Sequence, residues 1–173
     1  MSTENKMREP KILKLTLSAG AVGTDLEKAA KLIELVSGMK SQIIKSGPRR
    51  RIPAFGVKPN MPLGARVTVR GKKAMNLLKR LLGAIENRIK EKQIDENGFS
   101  FGIKEYIEIP GIEYVREIGI RGFNVTVTFG RAGLRVKERK IKRGMLPKKQ
   151  QITKKEISEF MKKNFNTFVE AKK

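Results

Sequence analysis

Three consecutive arginines, Arg49, Arg50 and Arg51, followed by Phe55 and Lys58 among Pro48, Pro53, Pro59 and Pro62, are the side chains of this sequence best suited to chemistry. Guanidinium and ammonium groups beside one aromatic ring can neutralise phosphates and stack on a base or ribose. Bond-breaking chemistry lacks its usual tools. With no Cys and no His, the thiol nucleophiles, imidazole bases, Ser-His-Asp arrangements and ordinary zinc sites are all excluded. Asp25, Glu27, Asp95, Glu96, Glu105 and Glu108 fall at caps, helix ends and strand edges, where they read as solvated acids rather than an acid/base pair or a metal cage. Gly20 and Gly23 make a G-x-x-G, yet the third glycine of a dinucleotide fingerprint and the G-K-[ST] of a P-loop are missing. That pair reads first as a tight turn and second as a backbone cradle for an RNA phosphate. The expectation is a protein that is not an enzyme and uses neither cofactor nor metal.

The charge is placed rather than smeared. The 173 residues carry 39 Lys and Arg against 17 Asp and Glu, a formal charge of +22. Residues 35–85 hold 12 basic and no acidic side chains, and residues 131–155 hold 11 basic ones and a single acid, Glu138. These two zones contribute +12 and +10, so the rest of the chain is balanced. Like charges this dense weaken a compact state unless a partner neutralises them, which favours a nucleic acid over an anionic membrane or solubility alone. No apolar run approaches the roughly 18 residues of a membrane span, and residues 1–10 lack the charged-then-apolar pattern of a leader. A cytoplasmic protein with no membrane partner is expected.

The elements that must position these groups follow from periodicity. Leu13, Leu15 and Leu17 alternate with Lys14 and Thr16 as in a strand with one buried face. A T-x-x-E capping box at Thr24 and Glu27 then predicts a helix with Leu26, Ala29, Ala30, Ile33 and Val36 inward, stopped by Ser37 and Gly38. A short strand over 39–44 leads into a long loop, 45–62, whose prolines and glycines forbid regular structure and stiffen the arm. A strand over 63–70 points Val67 and Val69 in and Arg66, Thr68 and Arg70 out, and a helix over 73–92 buries Leu77, Leu81, Ile85 and Ile89. Strands follow over 99–103 and 122–129, with a short apolar piece at 106–109 between them; Phe99, Phe101, Tyr106 and Tyr114 read as packing residues. A connection without periodicity, 131–151, precedes a second capping box at Thr153 and Glu156 and a last helix burying Ile157, Phe160, Met161 and Phe165; the tail 171–173 should fray.

This order predicts an α+β fold: a largely antiparallel sheet with helices packed on one face and the polar face open for RNA. Lys14 and Thr16, Arg66, Thr68 and Arg70, and Asn124, Thr126 and Thr128 form polar rows on three strands. If the rows share a face, their hydroxyls and cations can meet phosphates, riboses and base edges. One RNA-binding domain spanning 1–173 is expected, with a basic Pro-rich loop at 46–62 and a basic C-terminal segment at 131–155.

Four strings, M-R-E-P-K-I at 7–12, V-T-V-R-G at 67–71, F-S-F-G-I-K-E at 99–105 and I-R-G-F-N-V-T-V at 120–127, resemble in sequence and order the universal large-subunit ribosomal protein L-five family. V-K-E-R-K-I-K-R-G at 136–144, followed by I-T-K-K-E, is similar to its archaeal and eukaryotic branch, the archaeal above all. The resemblance implies a ribosome-bound structural protein of the central protuberance. Its partners would be 5S rRNA, large-subunit rRNA, peptidyl-site tRNA and neighbouring ribosomal proteins, one of them in the small-subunit head across a bridge. It further implies 5S rRNA contacts on Thr16, Ser18, Lys40, Gln42, Arg66, Thr68 and Arg70, and a tRNA-facing loop with Arg49, Arg50, Arg51, Phe55 and Lys58. Ser18 and Met39 stand where many relatives carry Asn and Gln. The rival reading is an RNA chaperone or KH-like regulator acting off the ribosome, which would prefer single strands to a folded RNA.

Overall fold

A computed structural model describes Asn5 and Met7–Glu170; the tail expected to fray lies outside these residues. The chain runs β1 (Lys11–Gly20), α1 (Thr24–Ser37), β2 (Gln42–Lys45), β3 (Pro62–Val69), α2 (Lys72–Gly83), β4 (Arg88–Lys90), β5 (Ile94–Asp95), β6 (Gly98–Ile103), β7 (Phe123–Gly130), α3 (Arg135–Glu138), α4 (Lys154–Phe165) and β8 (Phe168–Glu170). Six strands form one sheet in the order β2-β3-β1-β7-β6-β5, every pair antiparallel, while β4 and β8 make a separate parallel pair. The architecture is the α+β arrangement expected from the sequence.

Period-2 patterning fixes which face is buried. Leu15 and Leu17, Val67 and Val69, Val125 and Val127, and Phe99 and Phe101 all point inward at 4% exposure or less, against Leu32 and Ile33 of α1, Leu78, Leu81 and Leu82 of α2, and Ile157 and Met161 of α4. Each fully buried side chain of this size stabilises the fold by about 1.5–3 kcal/mol. Phe129 joins the sheet to α4 through an edge-on contact with Phe160 at 5.4 Å.

Three local expectations need correction. Leu13 is only half-buried, because β1 bulges between Ile12 and Lys14 opposite β7, and Ile12 takes the core side instead. Gly23, at φ 68°, is the N-cap of α1, so Thr24 already lies inside the helix and the first capping box is not made. The second is made: Thr153 accepts from the Glu156 N–H and the Glu156 carboxylate accepts from the Thr153 N–H. Finally, α2 ends at Gly83 rather than near Lys92, since Glu86 and Asn87 adopt left-handed φ values of 52° and 56° and the Asn87 N–H donates back to Leu82. Ile89 keeps its burial, at 1% exposure, by entering β4 beside β8.

Candidate nucleic-acid interface

The face of the sheet opposite the helices is where the polar rows meet. Thr16 of β1 lies opposite Thr68 of β3 on one side and Thr126 of β7 on the other, and Thr126 opposes Ser100 of β6. One step along, Gln42, Arg66, Ser18, Asn124 and Gly102 form a second row across five strands. Lys14, Thr128 and Gly98 form a third. At about 4.8 Å between strands and about 6.7 Å between rows, this is a surface of about 19 by 13 Å carrying hydroxyls, amides and cations. Among the described residues no helix covers it, and Arg66, Gln42, Asn124, Thr126 and Ser100 are exposed. Gly98, Ser100 and Gly102 keep the β6 side low, so a ligand can approach the backbone there.

Several contacts fix the cationic end of the second row. The Arg66 guanidinium donates to Gln42 Oε1 at 3.4 Å. Gln42 is in turn held by its predecessor: the Ser41 N–H and Oγ donate to the Glu34 carboxylate at 2.9 and 2.8 Å. Those two bonds, the backbone one foremost, hold the Glu34 carboxyl below the ordinary glutamate range. Lys40 precedes this anchor and is exposed. Arg70 stands one residue beyond the end of β3, exposed, at the opposite end of the strand from the loop. At the Gly20 end, the second row opens into a cleft of about 530 Å³ bordered by Ser18, Gly102, Lys104 and Asn124.

The Pro-rich loop is the tip of the β2-β3 hairpin and is more ordered than its composition predicts. Ser46 closes its base by donating from its N–H to Met61 O at 2.7 Å and from Oγ to Arg50 O at 3.1 Å. Ile52 and Val57 exchange backbone hydrogen bonds of 3.1 and 3.0 Å around a 3₁₀ turn, Pro53–Phe55, that ends on Gly56 at φ 63°. Val57 is buried within the loop, apart from the main core. This small frame presents Arg49, Arg50, Arg51 and Lys58 to solvent and leaves Phe55 76% exposed.

The structure thus brings Thr16, Ser18, Gln42, Arg66 and Thr68 onto one surface, sets Lys40 and Arg70 at its margins, and holds Arg49, Arg50, Arg51, Phe55 and Lys58 apart from it on the loop. It divides the first basic zone, because Lys72, Lys73, Lys79 and Arg80 belong to α2 in the other layer. Phe99, Phe101 and Tyr106 are core residues as expected, with the Tyr106 hydroxyl accepting from the Val115 N–H at 2.8 Å, but Tyr114 is 54% exposed. Gly23 and Gly20 form a tight strand-to-helix turn. Among the described residues no group of three or more acids is placed to hold a metal ion, and no helix is long and apolar enough to cross a membrane.

Residues 62–160 match the family model for the C-terminus of the ribosomal L-five family. The chain is 41% identical over 169 residues to the large ribosomal subunit protein uL5 of Methanosphaera stadtmanae, covering 96% of this chain and 99% of that one. It is 42% identical over 171 residues to uL5 of Sulfurisphaera tokodaii, covering 96% of each. The chain belongs to the uL5 family. The archaeal relatives place it in that branch, and the fold described above is this uL5 chain's version of the scaffold. Ser100, Asn124 and Thr126 are the surface residues of this uL5 chain that the expected contact set left out. Their trace in the sequence is the alternation of small or polar residues with Phe and Val through F-S-F-G and F-N-V-T-V.

Proposed function

We propose that this uL5-family protein binds 5S rRNA in the central protuberance through the open face of its sheet and reaches peptidyl-site tRNA with the 46–62 loop. The family makes it a structural, non-enzymatic constituent of the large ribosomal subunit, ribosome-bound in the cytoplasm and associated with rRNA. The observation that carries the finer reading is the in-register set of rows, Thr68-Thr16-Thr126 and Gln42-Arg66-Ser18-Asn124, on a face that no helix covers among the described residues. Phosphates met by Lys and Arg supply affinity, and the hydroxyl and amide rows fix register against the 2′-OH groups and edges of a folded RNA. A bridge to the small-subunit head would draw on residues 104–121, which lie outside both basic zones and carry three basic and four acidic side chains. Ion pairs Arg121–Asp25 at 2.5 Å and Lys31–Glu117 at 2.7 Å tie that segment to α1, and it exposes Ile107, Tyr114 and Ile120.

Filter-binding titration against folded 5S rRNA, tRNA and an unstructured RNA of equal length, at several salt concentrations, tests this reading. Neutralising about six to ten phosphates gives a log–log salt slope on the order of −5 to −9. The expected result is a preference for 5S rRNA with that slope; equal, salt-labile binding to all three RNAs would reduce the protein to a basic surface.

A further inference from the structure

The polar face does not end with the sheet. Beyond β7, the chain turns at Gly133, φ 94°, and folds an arm, residues 134–151, beside the strand end that carries Thr128. Between them lies a groove of about 800 Å³. Its walls are the half-buried Leu134 and Leu146 and the fully exposed Met145, its rim carries Lys137 and Arg143, and Gln150 and Thr128 offer polar edges. Glu138 is its one acid.

The groove is preformed. Arg131 ties the base of the arm down, donating to Lys149 O at 3.0 Å and to the Glu156 carboxylate at 2.5 Å. Asn97 accepts from the Ile152 N–H at 2.9 Å through its side chain and from the Phe129 N–H at 2.8 Å through its carbonyl. The arm closes on itself where the Gly144 N–H donates to Val136 O at 3.0 Å, a crossing so tight that a Cβ on Gly144 would lie 2.9 Å from Val136 Cγ1. Such a space has aliphatic walls, a cationic rim and hydrogen-bonding edges, and is larger than a lone phosphate needs. It also adjoins the third polar row through Thr128.

We propose that this groove receives one unpaired nucleotide of a folded RNA, its base against Leu134, Leu146 and Met145 and its phosphate facing Lys137 and Arg143. The +10 charge of residues 131–155 matches a polyanion, and continuity with the sheet face selects RNA over an acidic peptide. The proposal rests on the RNA-binding reading of that face and adds a site at the end opposite the 46–62 loop.

The first test compares binding to hairpin RNAs carrying a single unpaired A, C, G or U with binding to the fully paired hairpin. The protein should favour at least one bulged hairpin by about tenfold, the worth of one well-packed base. The pair Leu134→Ala and Leu146→Ala should erase that preference without altering the salt slope. Lys137→Gln with Arg143→Gln should instead make the slope shallower by about 2. Equal binding of all hairpins, or a preference that survives the leucine changes, overturns the proposal. In assembled large subunits, ultraviolet irradiation should crosslink RNA to peptides within 134–151; a crosslink to protein alone would assign the groove to a protein neighbour and overturn it. If Arg66→Ala with Arg70→Ala leaves 5S rRNA affinity unchanged, the sheet reading fails. If those changes act and the arm changes do not, only the groove reading fails.

Discussion

The 46–62 loop and the 131–151 arm are both basic and Gly/Pro-marked, yet they sit at opposite ends of β1 and are held by different means. The loop leaves the end where Gly20 pairs with Gly64, and the arm leaves the end where Lys11 pairs with Gly130. Ten strand residues at roughly 3.3 Å each put about 30 Å between them. The loop supports itself through the Ile52–Val57 bridge, the Ser46 closure and a buried Val57. The body of the arm, residues 134–151, depends on side chains outside it, Arg131, Glu156 and Asn97. A self-supported loop can carry charge far from the core and reach a separate partner, whereas a clamped arm extends the surface it is clamped to.

That contrast is sharpest in binding. Arg66→Ala with Arg70→Ala should lower 5S rRNA affinity by about a hundredfold, taking about 1.4 kcal/mol for each lost charged contact, while Arg49, Arg50 and Arg51 changed together to Ala should leave it nearly intact and impair tRNA-dependent steps. Filter binding with both RNAs checks this, and a loop variant that lost 5S binding would abolish the division of labour. Next in size, Arg131→Met should destabilise the protein by about 1–3 kcal/mol, since it strips the Glu156 carboxylate and Lys149 O of a partner. Hydrogen exchange should then rise through 133–150 and not through 46–61. If both segments loosened together, the arm would not be independently clamped.

Val57→Ala should do the reverse on a smaller scale, about 1 kcal/mol, with faster proteolysis at Arg49, Arg50, Arg51 and Lys58 and an unchanged arm. The smallest effect concerns Glu34. Its carboxyl titrates below the usual range when folded, so the stabilisation is present at neutral pH and fades as pH falls below the ordinary glutamate value toward the depressed one. Relative to its intrinsic exchange rate, the Ser41 amide should lose protection at low pH, and at all pH values in Glu34→Gln; an amide indifferent to both would remove Glu34 from the positioning of Lys40 and Gln42.

The sheet and its faces were legible because inward Val and Phe alternate with outward Thr, Asn and Arg along each strand. The register that aligns Thr68, Thr16 and Thr126 was not, because it joins residues far apart in sequence. For the same reason the bulge at Leu13 is invisible in a single strand. Ile85 and Ile89 fall at helical spacing by coincidence, and only the left-handed Glu86 and Asn87 reveal the break. The loop's order was hidden by its prolines, whose composition speaks against regular elements without excluding a 3₁₀ turn and one bridge. At the candidate interface the charged residues and the outward Asn124 and Thr126 stood out, while Ser100 joined them only once neighbouring strands were laid side by side.

The placement of β1 at the centre of the sheet has a consequence for synthesis. Its partner β7 lies more than a hundred residues downstream, Ser18 pairing with Asn124 and Lys11 with Gly130. At about 5–20 residues per second, the first strand emerges roughly 5 to 25 seconds before that neighbour exists. During that interval one edge of an apolar, basic strand stands open among nascent RNA and ribosomes, and high contact order slows closure further. The six-stranded sheet, and with it the face the polar rows share, is therefore complete only once β7, its last strand in chain order, has been made.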